Sequence, residues 1–306
     1  MIHASEPALP SARPRHLTRR EVLGIGAAAA LGATGLVAAV NGSAAATGTG
    51  LTLASAPAGK RWATVWEDRF LGTALDLSSW TVYDSPGQTD LRDQQWNDPS
   101  MVTVEDGRLV LRGQPIPKNG FGYVAGTIST KGKQNIGPFG RLTTRQYLRP
   151  GLGASVGVCL FGAAQDEVGW PEAGEIDATE IALARSGAPF GSIHGPGYSG
   201  EHPISKTYAG PLDSLVGRWV DHTLEWEPGT LRWAIDGVVY HEATSADPRA
   251  AAGWPFDAPF FVVITLTIGS WLGGDVDTDT WQTDALGVPT ARAEFDFIRF
   301  EQLVDC

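Results

Sequence analysis

The chain has 306 residues, 42% of them hydrophobic, with 38 glycines, 20 prolines, 11 tryptophans and a formal net charge of −11. A negative chain without basic runs is poorly suited to phosphate backbones, so nucleic acid is not an expected partner. Two cysteines, Cys159 and Cys306, exclude a disulfide framework, and no Cys/His cluster has zinc spacing.

Residues 1–46 read as an export signal. Arg19 and Arg20 precede an Ala/Gly-rich apolar run from Gly24 to Val40, and Ala44-Ala45-Ala46 offers an A-x-A cleavage site. Twin arginines before a moderately apolar segment fit a twin-arginine-type signal of a bacterial secreted protein. The competing reading is a membrane anchor. The run is only as long as the shortest spanning helices and holds Gly and Ala rather than Leu and Ile, so cleavage is favoured. Cleavage removes four arginines and two glutamates, which takes the charge from −11 to −13. The released protein is expected to be free of the membrane and monomeric. Residues 47–58, TGTGLTLASAPA, read as a flexible lead-in, and 59–306 as one folded domain.

From Arg61 onward the period is mostly two. VTVEDGRLVLRG (102–113) is strand, Asp-Gly turn, strand. GRLTTRQYL (140–148) alternates. HTLEW (222–226) and LRWAI (231–235) flank Glu227-Pro228-Gly229, and Asp236-Gly237 leads into Val238-Val239-Tyr240. FFVVITLTI (260–268) reads as a central strand buried on both faces, and EFDFIRF (294–300) as a closing strand. The pattern predicts an all-β fold, a sandwich or jelly roll of two large antiparallel sheets. Tryptophans at this density suit a sandwich core or stacking on sugar rings.

GEIDATE (174–180) crowds three carboxylates into this β-rich context. On an extended strand Glu175 and Asp177 share a face, and Glu180 points to the other. One bulge residue at Ala178-Thr179 restores the parity and brings all three to one face. Four effective steps span about 13 Å, and two inward-leaning glutamates reduce the gap to about 5 Å. That spacing permits the retaining geometry of paired glycosidase carboxylates. The bland alternative is a solvated acidic strand.

The chain resembles glycoside hydrolase family 16, in its bacterial laminarinase-like (endo-1,3-β-glucanase) branch. The resemblance runs in order through WEDRF (66–70), LDLSSW (75–80), GTISTKGKQNIGPFGRLTTR (126–145), GWPEAGEIDATE (169–180), HGPGYSG (194–200), HTLEWEPGTLRWAIDG (222–237), WPFDAPFF (254–261) and DFIRF (296–300). It implies a β-jelly-roll with a concave cleft, 59–306 being the catalytic domain. It also implies a retaining double displacement, with Glu175 as nucleophile, Glu180 as acid/base and Asp177 as the assisting carboxylate. The spacing E-x-D-x-x-E is similar to that of laminarinases, agarases and carrageenases. A strongly acidic protein suits a neutral β-glucan better than a sulfated galactan. Thr127, Cys159 and Thr265 depart from the laminarinase pattern, which leaves the particular glycan open. An agarase- or galactanase-like hydrolase, a transglycosylase and a non-catalytic carbohydrate-binding module are the alternatives.

The resemblance places further residues at the cleft. Trp170 either stacks on a sugar or packs in the core, and Trp271 in GSWLGGD poses the same choice at a cleft-edge loop. His194 either hydrogen-bonds near Glu180 or a sugar, or is structural. Trp96 borders the cleft. Arg145 matches a family arginine and is expected to pair with cleft carboxylates. No cofactor is required for catalysis. Family members often hold a structural calcium ion, and Glu67, Gly107 and Asp296 match its positions, the first two mainly through backbone oxygens.

Overall fold

The computed structural model describes residues 51–87, 95–184, 187–211, 215 and 217–306. The expected export signal and the first residues of the lead-in lie outside the described residues. The strands in chain order are β1 (Lys60–Asp68), β2 (Thr81–Val82), β3 (Ser85–Pro86), β4 (Gln95–Asn97), β5 (Val102–Glu105), β6 (Arg108–Gln114) and β7 (Tyr123–Ala125). Then come β8 (Thr127–Ser129), β9 (Gly140–Leu148), β10 (Ala154–Gly162), β11 (Glu175–Ala182), β12 (Phe190–His194), β13 (Ile204–Thr207) and β14 (Trp219–Glu227). The series closes with β15 (Thr230–Ile235), β16 (Val238–Thr244), β17 (Phe260–Ile268), β18 (Gln282–Thr283) and β19 (Pro289–Asp305). No helix among the described residues is long and apolar enough to cross a membrane.

The strands form two sheets. The larger has twelve strands with the path β16-β15-β14-β9-β19-β6-β7-β4-β3, and β1 and β18 add to β19 while β5 adds to β6. The smaller has seven, in the order β13-β12-β11-β10-β17-β8-β2. Two sheets of this size make the all-β sandwich that the period-two pattern predicts. The hairpin turns follow from their residues. Asp106 and Gly107 have φ of 50° and 70°, and Asp236 and Gly237 have 48° and 80°, as a two-residue turn with both central residues left-handed demands.

Alternation decides what fills the sandwich. Val156, Val158 and Leu160 on β10, and Val262, Ile264, Leu266 and Ile268 on β17, point between the sheets and are 1% exposed or less. They meet Leu224, Trp226, Leu231 and Trp233 from the larger sheet in one apolar core. The opposite face of β10 and β17 carries a second, smaller apolar cluster of Cys159, Phe161, Phe261 and Val263. FFVVITLTI therefore lies third from the β2 edge of its sheet with apolar contacts on both faces, as its uninterrupted run implies.

Part of the expected flexible lead-in is held. Leu53 N donates to Gly237 O at 2.9 Å, Val239 N donates to Leu51 O at 2.7 Å, and Thr52 bridges Val238. Backbone groups make these bonds, so the small, polar side chains of this stretch gave no signal of them.

Candidate active site

β11 is the third strand from the β13 edge of the smaller sheet, with β12 and β10 paired on its two sides. Its pairing to β12 runs Glu175↔His194, Asp177↔Ser192, then Glu180↔Phe190, so Ala178 and Thr179 together face Gly191. The β10 side shows the same irregularity, with Cys159↔Asp177 followed by Val158↔Thr179. This is the two-against-one count of a β-bulge. Ile176, Ala178 and Ile181 go into the core. Thr179 also turns inward, where its Oγ1 meets Gln146 Nε2 at 3.4 Å. With two consecutive residues facing in, Glu175, Asp177 and Glu180 all face out.

The outer face around them is partly closed. Asp177 is 2% exposed, accepts a short hydrogen bond from the Ser192 hydroxyl, and lies 3.2 Å from His194 Nε2. Glu175 accepts the Trp170 indole N–H at 2.6 Å. The Glu175 and Asp177 carboxylates and the Cys159 thiol have ligand atoms within 4.8 Å of one another. Burial and then the Asp177 charge push the Glu175 carboxyl up to about 8, while His194 and the Trp170 hydrogen bond pull the other way. Burial, Asp177 and Glu175 push Glu180 well above the usual carboxylate range. Burial opposes charge on His194, but its hydrogen bond to Asp177 and the charges of Asp177 and Glu175 prevail and raise it. Burial and the same three carboxylates hold the Cys159 thiol protonated. The two glutamates thus differ: Glu175 has partners that favour its ionised form, and the influences on Glu180 all favour the acid.

The aromatic residues divide. Trp170 is 44% exposed, so it is not a core residue, and its ring lies 5.9 Å from that of His194. Trp271 is 53% exposed and packs its ring 5.8 Å from Phe190, the β12 partner of Glu180. Trp96 stands apart. Its indole donates to Asp84 at 2.6 Å and its ring packs on Phe121, beneath Lys118.

Arg145 requires a correction. It lies on β9 in the larger sheet, where Leu142, Thr144 and Gln146 are buried, so alternation turns it outward. There it pairs with Asp221 at 2.9 Å, 43% exposed, and not with the cleft carboxylates. The family motif located it correctly in a strand but could not say which sheet or face that strand presents.

Glu67, Gly107 and Asp296 flank one gap in the larger sheet. β6 pairs with β19 up to Phe295 and β1 takes over at Ile298, so Asp296 and Phe297 have no strand partner on that side. The Asp106-Gly107 turn begins β6 there, and β1 ends beside it. The Glu67 carboxylate is committed to Arg299 at 2.7 and 2.8 Å, which leaves its backbone oxygen as the candidate ligand. A gap with backbone oxygens and one carboxylate is chemically compatible with a hard cation.

Sequence reasoning missed Ser192 and Phe190. Both lie on β12 at even spacing from His194, so parity alone would have placed them on the same face. It also missed the Phe161–Phe261 stack, with centroids 5.7 Å apart, on the face that carries the carboxylates.

The family model described as "Glycosyl hydrolases family 16" matches residues 92–288. The chain is 27% identical over 240 residues to a glucan endo-1,3-beta-glucosidase A1 of Niallia circulans, covering 69% of this chain but only 34% of that protein. It is 27% identical over 232 residues to a beta-glucanase of Rhodothermus marinus, covering 71% of this chain and 79% of that one. The solved endo-beta-1,3-glucanase of Pyrococcus furiosus superposes with a TM-score of 0.72 at 26% identity, over 81% of this chain and 97% of that chain.

Proposed function

Since the chain belongs to glycosyl hydrolase family 16, we propose that it is a secreted endo-glycosidase that cleaves β-glucan, chiefly at 1,3-linkages, with retention of configuration. The observation that carries this reading is the bulged strand β11, which sets two glutamates, one of them hydrogen-bonded to the Trp170 indole, and one buried aspartate on a single sheet face. The names of the Niallia, Rhodothermus and Pyrococcus proteins support the choice of glucan and linkage.

Each residue then has a task. Glu175 attacks the anomeric carbon as the carboxylate, a form that burial and Asp177 oppose and that His194 and the Trp170 indole N–H favour. Glu180 carries the proton and delivers it to the leaving oxygen. Asp177 faces both, and its negative charge keeps the proton on Glu180. After the glycosyl group has transferred to Glu175, Glu180 is a carboxylate and takes a proton from water, which attacks the same carbon from the opposite side and frees Glu175. Two inversions leave the original anomer. Exposed Trp170 and Trp271 offer ring faces to sugars on either side of the carboxylates. Backbone oxygens of Glu67 and Gly107 with the Asp296 carboxylate would hold a structural calcium ion on the larger sheet, not the one that bears this chemistry.

Reducing-sugar release from laminarin, lichenan, agarose and carrageenan tests the reading. Release is expected from laminarin first. Binding without release from any of the four would leave a carbohydrate-binding module instead. Glu175→Ser is expected to lose hydrolysis by at least about 10⁴-fold while keeping fold and binding, on the scale of rate lost with a nucleophile. NMR of the first-formed product should show the β-anomer.

A further inference from the structure

We propose that Trp233, on the opposite sheet, is a positioning residue that fixes the bulge of β11 and so sets Glu180 relative to Glu175; the inference rests on the function proposed above.

The argument starts from what a bulge does to a strand. Two residues against one leave the ladder locally unpaired, and the freed backbone groups need other partners. Here Ala178 and Thr179 oppose Gly191, and the irregularity begins at Asp177. The Asp177 carbonyl accepts a hydrogen bond of 2.8 Å from the Trp233 indole N–H. Trp233 belongs to β15 in the larger sheet and is fully buried, so its ring crosses the core to reach the underside of β11.

Two features hold the ring in that place, and a third contact reaches the bulge beside it. The indole lies directly under Gly191: a Cβ there would come within 2.3 Å of Trp233 Cδ1. Gly191, the one residue opposite the bulge, therefore makes room for the side chain that supports it. On its other side the indole stacks on His241, centroids 4.5 Å apart and planes 21° apart. Burial lowers His241 to about 4, so a neutral imidazole lies against the ring at neutral pH. Gln146, also from the larger sheet, adds a long contact to Thr179 at 3.4 Å.

The consequence is a division between the two glutamates. Glu175 precedes the bulge and has its own partner in Trp170. Glu180 follows the bulge, and its place depends on how sharply the backbone turns between Asp177 and Glu180. Loss of the Trp233 hydrogen bond should disturb the proton donor more than the nucleophile.

The test is Trp233→Phe, which keeps a ring and removes the N–H, with Gly191→Ala as a second variant that displaces the indole from above. For both, kcat on laminarin is expected to fall about 10–100-fold with KM within about 3-fold, the scale for a catalytic group misplaced by about 1 Å. On a 2,4-dinitrophenyl β-glucoside or oligoglucoside, whose leaving group needs no proton, the rate of glycosylation should change less than about 3-fold. Equal losses on both substrates, or no loss on laminarin, would overturn the proposal. A variant that fails to fold is recognised by its near-ultraviolet circular dichroism, and the other variant then decides. Carboxyl ¹³C NMR titration of Glu-labelled protein decides independently of turnover: Glu180 should move its titration while Glu175 stays close to its own. Absence of turnover in the unmodified protein counts against the proposed function, whereas normal turnover with unshifted Glu180 counts against Trp233.

Discussion

At the scale of single residues, the site is organised by how unlike its two glutamates are. Asp177 is the residue that both feel, and its charge raises each of them. Asp177→Asn should therefore lower the Glu180 pKa and move the basic limb of the kcat/KM profile down by about one pH unit, since one nearby charge shifts a carboxyl by about 1–3 units. An unmoved basic limb would show that Asp177 does not tune Glu180. Glu175 gives a stability prediction with a definite sign. Its carboxyl sits at about 8 in the folded protein against an ordinary 4.5, so the folded state holds the extra proton between those values. Stability attributable to this group is complete below about pH 4.5 and falls as pH rises toward 8. Glu175→Gln should match the parent in acid and exceed it by roughly 1–3 kcal/mol above pH 8, the cost of a poorly compensated buried polar group. Thermal melts across pH 4–9 read this directly, and a variant with the parent's pH slope would refute the buried charge.

At the scale of the strand, parity is the controlling variable. Inserting one alanine between Ala178 and Thr179 makes the count from Asp177 to Glu180 even without a bulge, but sets Glu180 and the core residues Ile181 and Leu183 two positions, about 6.6 Å, out of register with β12, with loss of activity and a Tm lower by many degrees. Deleting Ala178 leaves a regular alternation in which Glu180 still faces out. The deletion should fold, with a modest loss of Tm from the absent methyl and the displaced Trp233 bond. The deletion keeps Glu180 opposite Phe190 and the insertion does not, so a deletion as damaging as the insertion would show that register with β12 is not what governs this strand. The same variable explains what could be read from the amino-acid sequence. The carboxylates and the position of the bulge were legible in GEIDATE, because period two and charge are local. Ser192 was legible in principle, two residues before His194. Arg145 was misplaced because a motif names a strand and not the sheet it joins. Trp233 left no local signal, because its partner is a backbone oxygen more than fifty positions away on the other sheet.

At the scale of the molecule, the two sheets have separate duties: the smaller bears the cleft and the larger supports it from behind. The gap in the larger sheet at Asp296 makes calcium removal a test of that support. A chelator should lower the Tm by a few degrees, restored by Ca²⁺ and not by K⁺; an unchanged Tm would remove the ion from the proposal. The export signal is tested by N-terminal sequencing of secreted protein, expected to begin at Thr47. The tryptophans record the same division in another way. Trp80, Trp226, Trp233 and Trp281 are 6% exposed or less, whereas Trp170 and Trp271 stand open beside the carboxylates. A water-soluble quencher such as iodide will reach the latter pair and largely miss the former. Since the Trp170 indole is hydrogen-bonded to Glu175, its emission also responds to the proton on that carboxyl. The part of the quenchable fluorescence that Trp170→Phe removes, followed across pH, is thus an optical titration of Glu175, with no dye and no turnover.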